Sequence, residues 1–273
     1  MPQSFREPIA KSPMLWIFIG RIIHSLQPVP MKPMNAPEHK PAATAPPGGH
    51  ASAAARPLDA VADYYTQKLR RFGATPLGVD WPNRPNQALR FVQLLKLCDF
   101  SQPRTLNDVG CGYGALRALL SQRHRRARID YRGTDVSEAM VAAARRRWRH
   151  RAGCAFEVAA GATRLADYCL ASGIFNVKLD CPLPAWEALV ARTLADLQRH
   201  SRLGWAVNFI VPPVPGQASP PELYRPPPEH WLAHLAQHQP GAEVTLLRGY
   251  GLHEYTLLVR PPAAAASQTL LNQ

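Results

Sequence analysis

Apolar residues recur at helical spacing from Leu58 through Val61, Ala62, Tyr65 and Leu69 to Phe72. The spacing predicts an amphipathic helix that Gly73 ends as a left-handed cap. A second helix is expected on Ala88, Phe91, Leu94, Leu95 and Cys98, after a loop from Thr75 to Pro85. It must close before Pro103, because the residue preceding proline is pushed out of the helical region. The pattern then alternates. Short apolar runs predict strands over 105–109, 129–134, 155–159, 168–171, 205–211, 243–247 and 254–259. Helical periods fall between them over 114–124, 137–149, 184–200 and 228–237, with Ser137 placed to cap the helix that Glu138 opens. Strands alternating with helices build right-handed βαβ units on a parallel sheet. The last two strands are separated by only a short loop around 249–251, so they read as an antiparallel addition at one edge. The expected fold class is α/β, a doubly wound, mostly parallel seven-stranded sheet with an antiparallel edge strand and two leading helices.

The chain has 273 residues, 46% of them hydrophobic and 19% charged, which is ordinary for a globular protein. Its 28 prolines are not ordinary. Many lie in the first 57 residues, between Pro212 and Pro228, and in the tail. That distribution predicts a flexible Pro/Ala-rich leader over 1–56, a folded domain over 57–262 and a disordered tail over 263–273. Within the leader, Met14–Ile23 is apolar but broken by Arg21. It is shorter than the roughly 20 residues a membrane span needs, and Met31 or Met34 stands as an alternative start. The five cysteines form no C-x-x-C pair, which points to a reducing, cytoplasmic setting and to no metal site.

The formal net charge is +13, a surplus that suggests nucleic acid as a partner. Its distribution argues otherwise. Residues 121–151 carry ten arginines against three carboxylates. The groups Arg123–Arg128 and Arg145–Arg151 fall where two helices finish, at the sheet edge opposite the carboxyl ends of the strands. A solvated surface that complements the helix dipoles is the expected reading.

The chemistry is concentrated in LNDVGCGYGALRALL, residues 106–120. There a strand runs into a glycine-rich turn and then a helix, an arrangement that lets backbone approach a ligand closely and aims helix amides at it. The sheet is accordingly expected to be Rossmann-like. Gly110, Gly112 and Ala115 also satisfy the dinucleotide pattern G-x-G-x-x-G/A, so the loop alone leaves NAD open. Three features favour another nucleotide. Asp108, two residues before the first glycine, suits an ammonium and a sulfonium better than a pyrophosphate. Asp135 ends the following strand, where a carboxylate accepts hydrogen bonds from ribose hydroxyls, although NAD would also use it. Two helices precede the first strand, whereas dinucleotide domains more often open with it.

These residues resemble the class I S-adenosylmethionine-dependent methyltransferases, with DVGCGYG similar to their first motif and GTDVSEAM to their second. The resemblance runs from about Tyr64 to Arg260. YYTQKLRRFGATPLGVDW, ASGIFNVKL and GYGLHEYTLLVR resemble a bacterial subgroup acting on small molecules. It implies S-adenosylmethionine over the loop Gly110, Cys111, Gly112, Tyr113 and Gly114. It further implies Asp108 at the methionine portion, Asp135 on the ribose, and Val136 and Met140 beside the adenine. Many relatives carry an acidic or amide residue after the third strand, where this chain reads AAGATR. Backbone amides near Gly161 and Ala162 are expected to serve instead.

Other candidates follow from position. Arg90, a cation in an apolar helix, is a candidate clamp for the methionine carboxylate. Ser172, Gly173, Ile174, Phe175 and Asn176 follow the fourth strand on the crevice side and are expected at the reaction centre. Tyr64, Tyr65 and Trp81 suggest an aromatic lid, with Tyr65 also on the buried stripe, and Asp167 reads as a strand-start residue. His253, Glu254 and Tyr224 are weak candidates for handling the acceptor. An asparagine-proline-proline-aromatic motif does not follow the fourth strand, which favours a small-molecule acceptor over nucleic acid. Two alternatives remain: an NAD-dependent oxidoreductase using the same glycine loop, and a non-catalytic cofactor-binding relative.

Overall fold

A computed structural model describes residues 57–214 and 216–262. The expected leader, with Met14–Ile23, and the expected tail lie outside the described residues. Helix α1 (Pro57–Phe72) ends as its sequence predicts, with Gly73 at φ +67° and its amide bonded to the Leu69 carbonyl at 2.8 Å. The stretch expected to be a loop contains a 3-10 turn, Pro76–Val79, that leaves through Asp80 in the left-handed region at φ 60°. Lys68 of α1 holds Asp80 at 2.6 Å, fastening the turn to the helix. Helix α2 (Arg84–Leu95) begins four residues earlier than the apolar pattern indicates. Asn83 caps it by accepting from the Asn86 amide at 2.9 Å, and Pro85 in the first turn loses no hydrogen bond it could have made.

The alternating segment follows as β1 (Arg104–Val109), α3 (Ala115–Arg123), β2 (Ile129–Asp135), α4 (Glu138–Trp148), β3 (Cys154–Val158) and β4 (Ala166–Ala171). Helix α5 (Leu183–Arg199), β5 (Ser201–Ile210), α6 (Pro228–His238), β6 (Glu243–Leu247) and β7 (Glu254–Arg260) complete it. Ser137 caps α4, accepting from the Met140 amide at 3.2 Å. The seven strands form one sheet in the order β3-β2-β1-β4-β5-β7-β6. The first five are parallel. Strand β7 pairs antiparallel with both β5 and β6, so it is slotted between them, one place in from the rim. The chain winds outward from β1 to β3, then returns beside β1 as β4. That reversal opens a crevice at the carboxyl ends of β1 and β4, where an open α/β sheet binds ligands.

Both sheet faces are buried, as a doubly wound parallel sheet requires. Successive β5 residues divide between the two sides: Trp205, Val207 and Phe209 join one core with Trp186 and Trp231, and Ala206 joins the other with Leu106, Leu120 and Tyr131. Phe209 stacks on Phe175, Trp231 and Tyr255 with ring centroids 5.3, 6.0 and 5.3 Å apart. This stack anchors the segment after β4 from below through Phe175.

The basic clusters sit at the ends of α3 and α4, as expected, but the second is not wholly a solvated surface. Arg145 donates to the Phe156 carbonyl at 2.9 Å. Arg147 lies 5.5 Å over the ring of Tyr113, within reach of the glycine loop. Among the described residues no helix is long and apolar enough to cross a membrane.

Candidate functional site

The glycine loop between β1 and α3 has Gly110, Gly112 and Gly114 at φ +74°, +53° and +77°, a conformation that side chains resist. The amides of Gly110 and Cys111 both donate to the Thr134 carbonyl, at 2.8 and 2.9 Å. Asp135 fixes the rest: its Oδ2 accepts from the Gly112 amide at 2.8 Å and its Oδ1 from the Ser137 amide at 2.9 Å. One carboxylate thereby joins the loop to the start of α4. Trp148 closes the far side, its Nε1 donating to the Gly114 carbonyl at 3.2 Å.

Asp108, next to last in β1, is 2% exposed. Burial raises its carboxyl to about 7; the short hydrogen bond from the Tyr131 hydroxyl pulls the other way, and the neighbouring Asp135 adds to the rise. Burial also raises Asp135, against the two backbone amides that hold its ionised form. These are perturbed carboxyls lining a crevice, the electrostatic pattern of a functional site.

Beside the glycine loop the crevice is partly open and mostly apolar. Of the residues singled out in the sequence, Asp108, Gly110, Cys111, Gly112, Tyr113, Asp135, Val136, Met140 and Ser172 line it. Tyr65, Trp81, Gly173, Ile174 and Phe175 line it as well. Gly114 stands behind as the cap of α3. Tyr64 is not part of the wall; its ring packs edge-on against Tyr65, centroids 5.1 Å apart.

Arg90 takes a different place from the expected carboxylate clamp. Its Nε and Nη2 both reach Glu254 Oε1 at 2.6 Å, its Nη1 donates to the Asn86 carbonyl at 3.0 Å, and its guanidinium lies 3.5 Å over the Trp81 ring. Glu254 Oε2 accepts from Asn208 Nδ2 at 2.8 Å, and Asn208 Oδ1 accepts from the Gly173 amide at 2.9 Å. A buried polar relay thus runs from Trp81 through α2, β7 and β5 to the segment after β4. Burial raises the Glu254 carboxyl despite Arg90 and Asn208.

The three acceptor-handling candidates lie away from the crevice wall. Glu254 belongs to the relay. Tyr224 donates to Glu187 Oε1 at 3.2 Å and packs edge-on against Phe209 at 6.4 Å. His253 is exposed and its carbonyl accepts from the Val211 amide at 3.0 Å. The Ala162 amide, expected near the adenine, donates to Asp196 Oδ2 at 3.0 Å, while Ala159 and Ala160 line the crevice. Asp167 is structural, its Oδ2 accepting from the Thr105 amide and hydroxyl at 2.8 and 3.0 Å.

The sequence reading missed Gln87. It is 7% exposed, lines the crevice and accepts from the Tyr113 hydroxyl at 3.1 Å. One turn before Arg90, a polar residue on the inner face of α2 was the available signal. Among the described residues no group of histidines, cysteines and carboxylates is placed to hold a metal ion.

No protein-family model matches the chain. It is 39% identical over 166 residues to "Putative methyltransferase Rv1506c" of Mycobacterium tuberculosis (strain ATCC 25618 / H37Rv), an alignment covering 61% of this chain and 98% of that protein. The fold is similar to that of magnesium protoporphyrin IX methyltransferase from Synechocystis PCC 6803 with bound SAM, with TM-score 0.54, 16% identity and 77% and 99% of the two chains covered. The chain belongs to the class I S-adenosylmethionine-dependent methyltransferases. A Haemonchus contortus phosphoethanolamine N-methyltransferase shares the fold with TM-score 0.55 and 10% identity, over 76% of this chain and 49% of that one. The glycine loop and its two carboxylates therefore sit in a methyltransferase sheet, at its topological switch.

Glu254→Leu leaves the Arg90 guanidinium buried without its carboxylate and is expected to cost about 3–5 kcal/mol in urea unfolding, whereas Arg90→Met combined with Glu254→Leu recovers most of the loss. A single variant as stable as the parent contradicts the relay.

Proposed function

We propose that the described domain transfers a methyl group from S-adenosylmethionine to a small-molecule acceptor, with the cofactor held across the glycine loop. The observation that carries this reading is the convergence of Asp108, Asp135 and the positive-φ glycines Gly110 and Gly112 on one crevice. The donor set fits the cofactor. Backbone approach is open at Gly112, whose added Cβ would have only Val79 near, at 3.4 Å. Asp135 retains acceptor capacity beyond its two amide bonds and serves the ribose hydroxyls. Asp108 and the Gln87 amide serve the charged end of the methionine, and Met140 and Ala159 supply apolar surface for the adenine. The pyrophosphate of NAD would meet two carboxyls and no cation among the described lining residues, which disfavours the oxidoreductase alternative.

S-adenosylmethionine supplies a methyl group already activated on a sulfonium. The protein's work is then to bind, orient and exclude water, and positioning of this kind contributes on the order of 7–11 kcal/mol to a barrier. Trp81, Phe91 and Ile174 dry the crevice, and the ordered segment after β4 forms the wall facing the acceptor. Asp108, with its carboxyl near 7, holds a proton in the free protein at slightly acid pH and releases it when a cation settles beside it.

Two measurements test this reading. Calorimetric titration of the full chain with S-adenosylhomocysteine is expected to give micromolar binding, at least ten-fold weaker in Asp135→Ala, with no heat from NAD; NAD binding alone overturns it. The same titration across pH carries the sign of the Asp108 shift. Below pH 7 the ligand's ammonium must displace a proton, so affinity rises with pH by up to about ten-fold per unit and levels above 7. An affinity that is flat from pH 5 to 7, or falls, contradicts the assignment of Asp108.

A further inference from the structure

A hollow at the edge of the sheet opposite the cofactor crevice is lined from the amino ends of its strands. Arg104 and Thr105 open β1, Ile129 opens β2, Gly153 precedes β3 and Asp167 lies near the start of β4. Into it comes Arg117 of α3. Arg117 is 5% exposed. Its Nη1 donates to Ser121 Oγ at 2.9 Å and its guanidinium lies 5.6 Å from the centre of the Trp148 ring, but its buried Nε has no hydrogen-bond partner. Beside it is the Cys154 thiol, which burial pushes up more than the Arg117 charge brings it down. The thiol therefore stays neutral and supplies no counter-charge.

A buried cation is costly unless an anion and a full set of acceptors meet it. Among the described residues no carboxylate pairs with Arg117. The two acidic side chains in the hollow are committed elsewhere. Asp130 is held by Arg164 at 2.7 Å, and Asp167 Oδ2 accepts from the Thr105 amide and hydroxyl at 2.8 and 3.0 Å. Arg128 and Arg151, exposed and lining the same hollow, add two guanidiniums that no carboxylate of the described residues meets. A concave surface with one uncompensated sign of charge concentrates the opposite ion. Guanidinium forks also match the oxygens of a phosphate group in pairs.

We propose that this hollow is an anion site for a phosphate group, built on Arg117 with Arg128 and Arg151 at its rim, and separate from the cofactor crevice. The ligand is inorganic phosphate or the phosphate of a small phosphorylated molecule. One of its oxygens accepts from the unpaired Arg117 Nε, and its charge balances a guanidinium that the fold itself leaves unbalanced.

The test is calorimetric titration of the full chain at pH 7.5 and constant ionic strength, set with sodium chloride, using inorganic phosphate, glycerol 3-phosphate and acetate. The expected result is saturable binding of a phosphate probe, at least ten-fold tighter than acetate. Tighter binding of glycerol 3-phosphate supports the site with an esterified ligand, and equal or tighter binding of inorganic phosphate supports it with the free ion. Arg117→Met, and Arg128→Ser combined with Arg151→Ser, are each expected to weaken phosphate binding at least ten-fold while S-adenosylhomocysteine affinity stays within two-fold. Thermal unfolding separates loss of the site from loss of the fold. Without phosphate, Arg117→Met is expected to melt within about 5 °C of the parent, because it removes an unbalanced buried charge; phosphate then raises the melting temperature of the parent and not of the variant. Absence of saturable binding of both phosphate probes, equal binding of acetate, or unchanged phosphate binding in the variants overturns the proposal. So does a larger fall in Arg117→Met without phosphate, which would show the guanidinium already satisfied within the fold, or an equal rise in parent and variant, which is the general effect of an excluded salt.

Discussion

The buried ion pair between Arg90 and Glu254 is the constraint on which the shape of the crevice depends. It joins residues 164 positions apart, one on the second described helix and one on the antiparallel strand that is last in sequence. Two ions taken out of water are costly, and their attraction repays that cost only when the remaining donors and acceptors are satisfied. Here Asn208, the Asn86 carbonyl and the Trp81 ring complete the set. The same network fixes the Gly173 amide. A helix before the sheet, the indole on its approach and the segment after β4 are thereby held as one wall. Asp135 performs the corresponding task on the opposite wall, with a single carboxylate bonded to the glycine loop and to the start of α4.

The division of labour between the walls follows from charge. The glycine-loop side carries both ionisable carboxyls, one of them raised to about 7 by burial, and so suits the cationic end of a cofactor. The Trp81 side has its one cation neutralised and offers aromatic surface with the unpaired Ser172 hydroxyl. The large positive surplus of the chain is spent mainly at the far ends of α3 and α4. Arg147 is a partial exception, since it reaches the Tyr113 ring.

What could be read from the sequence was what local pattern determines. Helix α1 with its Gly73 stop, the Ser137 cap and the positions of the seven strands follow from periodicity and caps, with ends shifted by a few residues. The glycine loop with Asp108 and Asp135 was legible because its spacing expresses a backbone geometry. Helix α2 began earlier than expected because Asn83, Arg84 and Pro85 look like loop until Asn83 is recognised as a cap. Its neighbour, the 3-10 turn at Pro76–Val79, carries no periodic signal at that length. The pairing of Arg90 with Glu254 was illegible: each residue looked like a ligand-handling group on its own segment, and only the folded sheet brings them together. Gln87 and the strand order β5-β7-β6 have the same long-range origin.

The central claim is that two walls, joined at the switch point of the sheet, form a crevice that takes S-adenosylmethionine against its glycine-loop side. Hydrogen–deuterium exchange of the full chain with and without S-adenosylhomocysteine tests it directly. Protection on binding is expected in peptides covering 108–116 and 133–140, with little change over 123–128. Protection confined to other segments, or none at saturating ligand, would contradict the account.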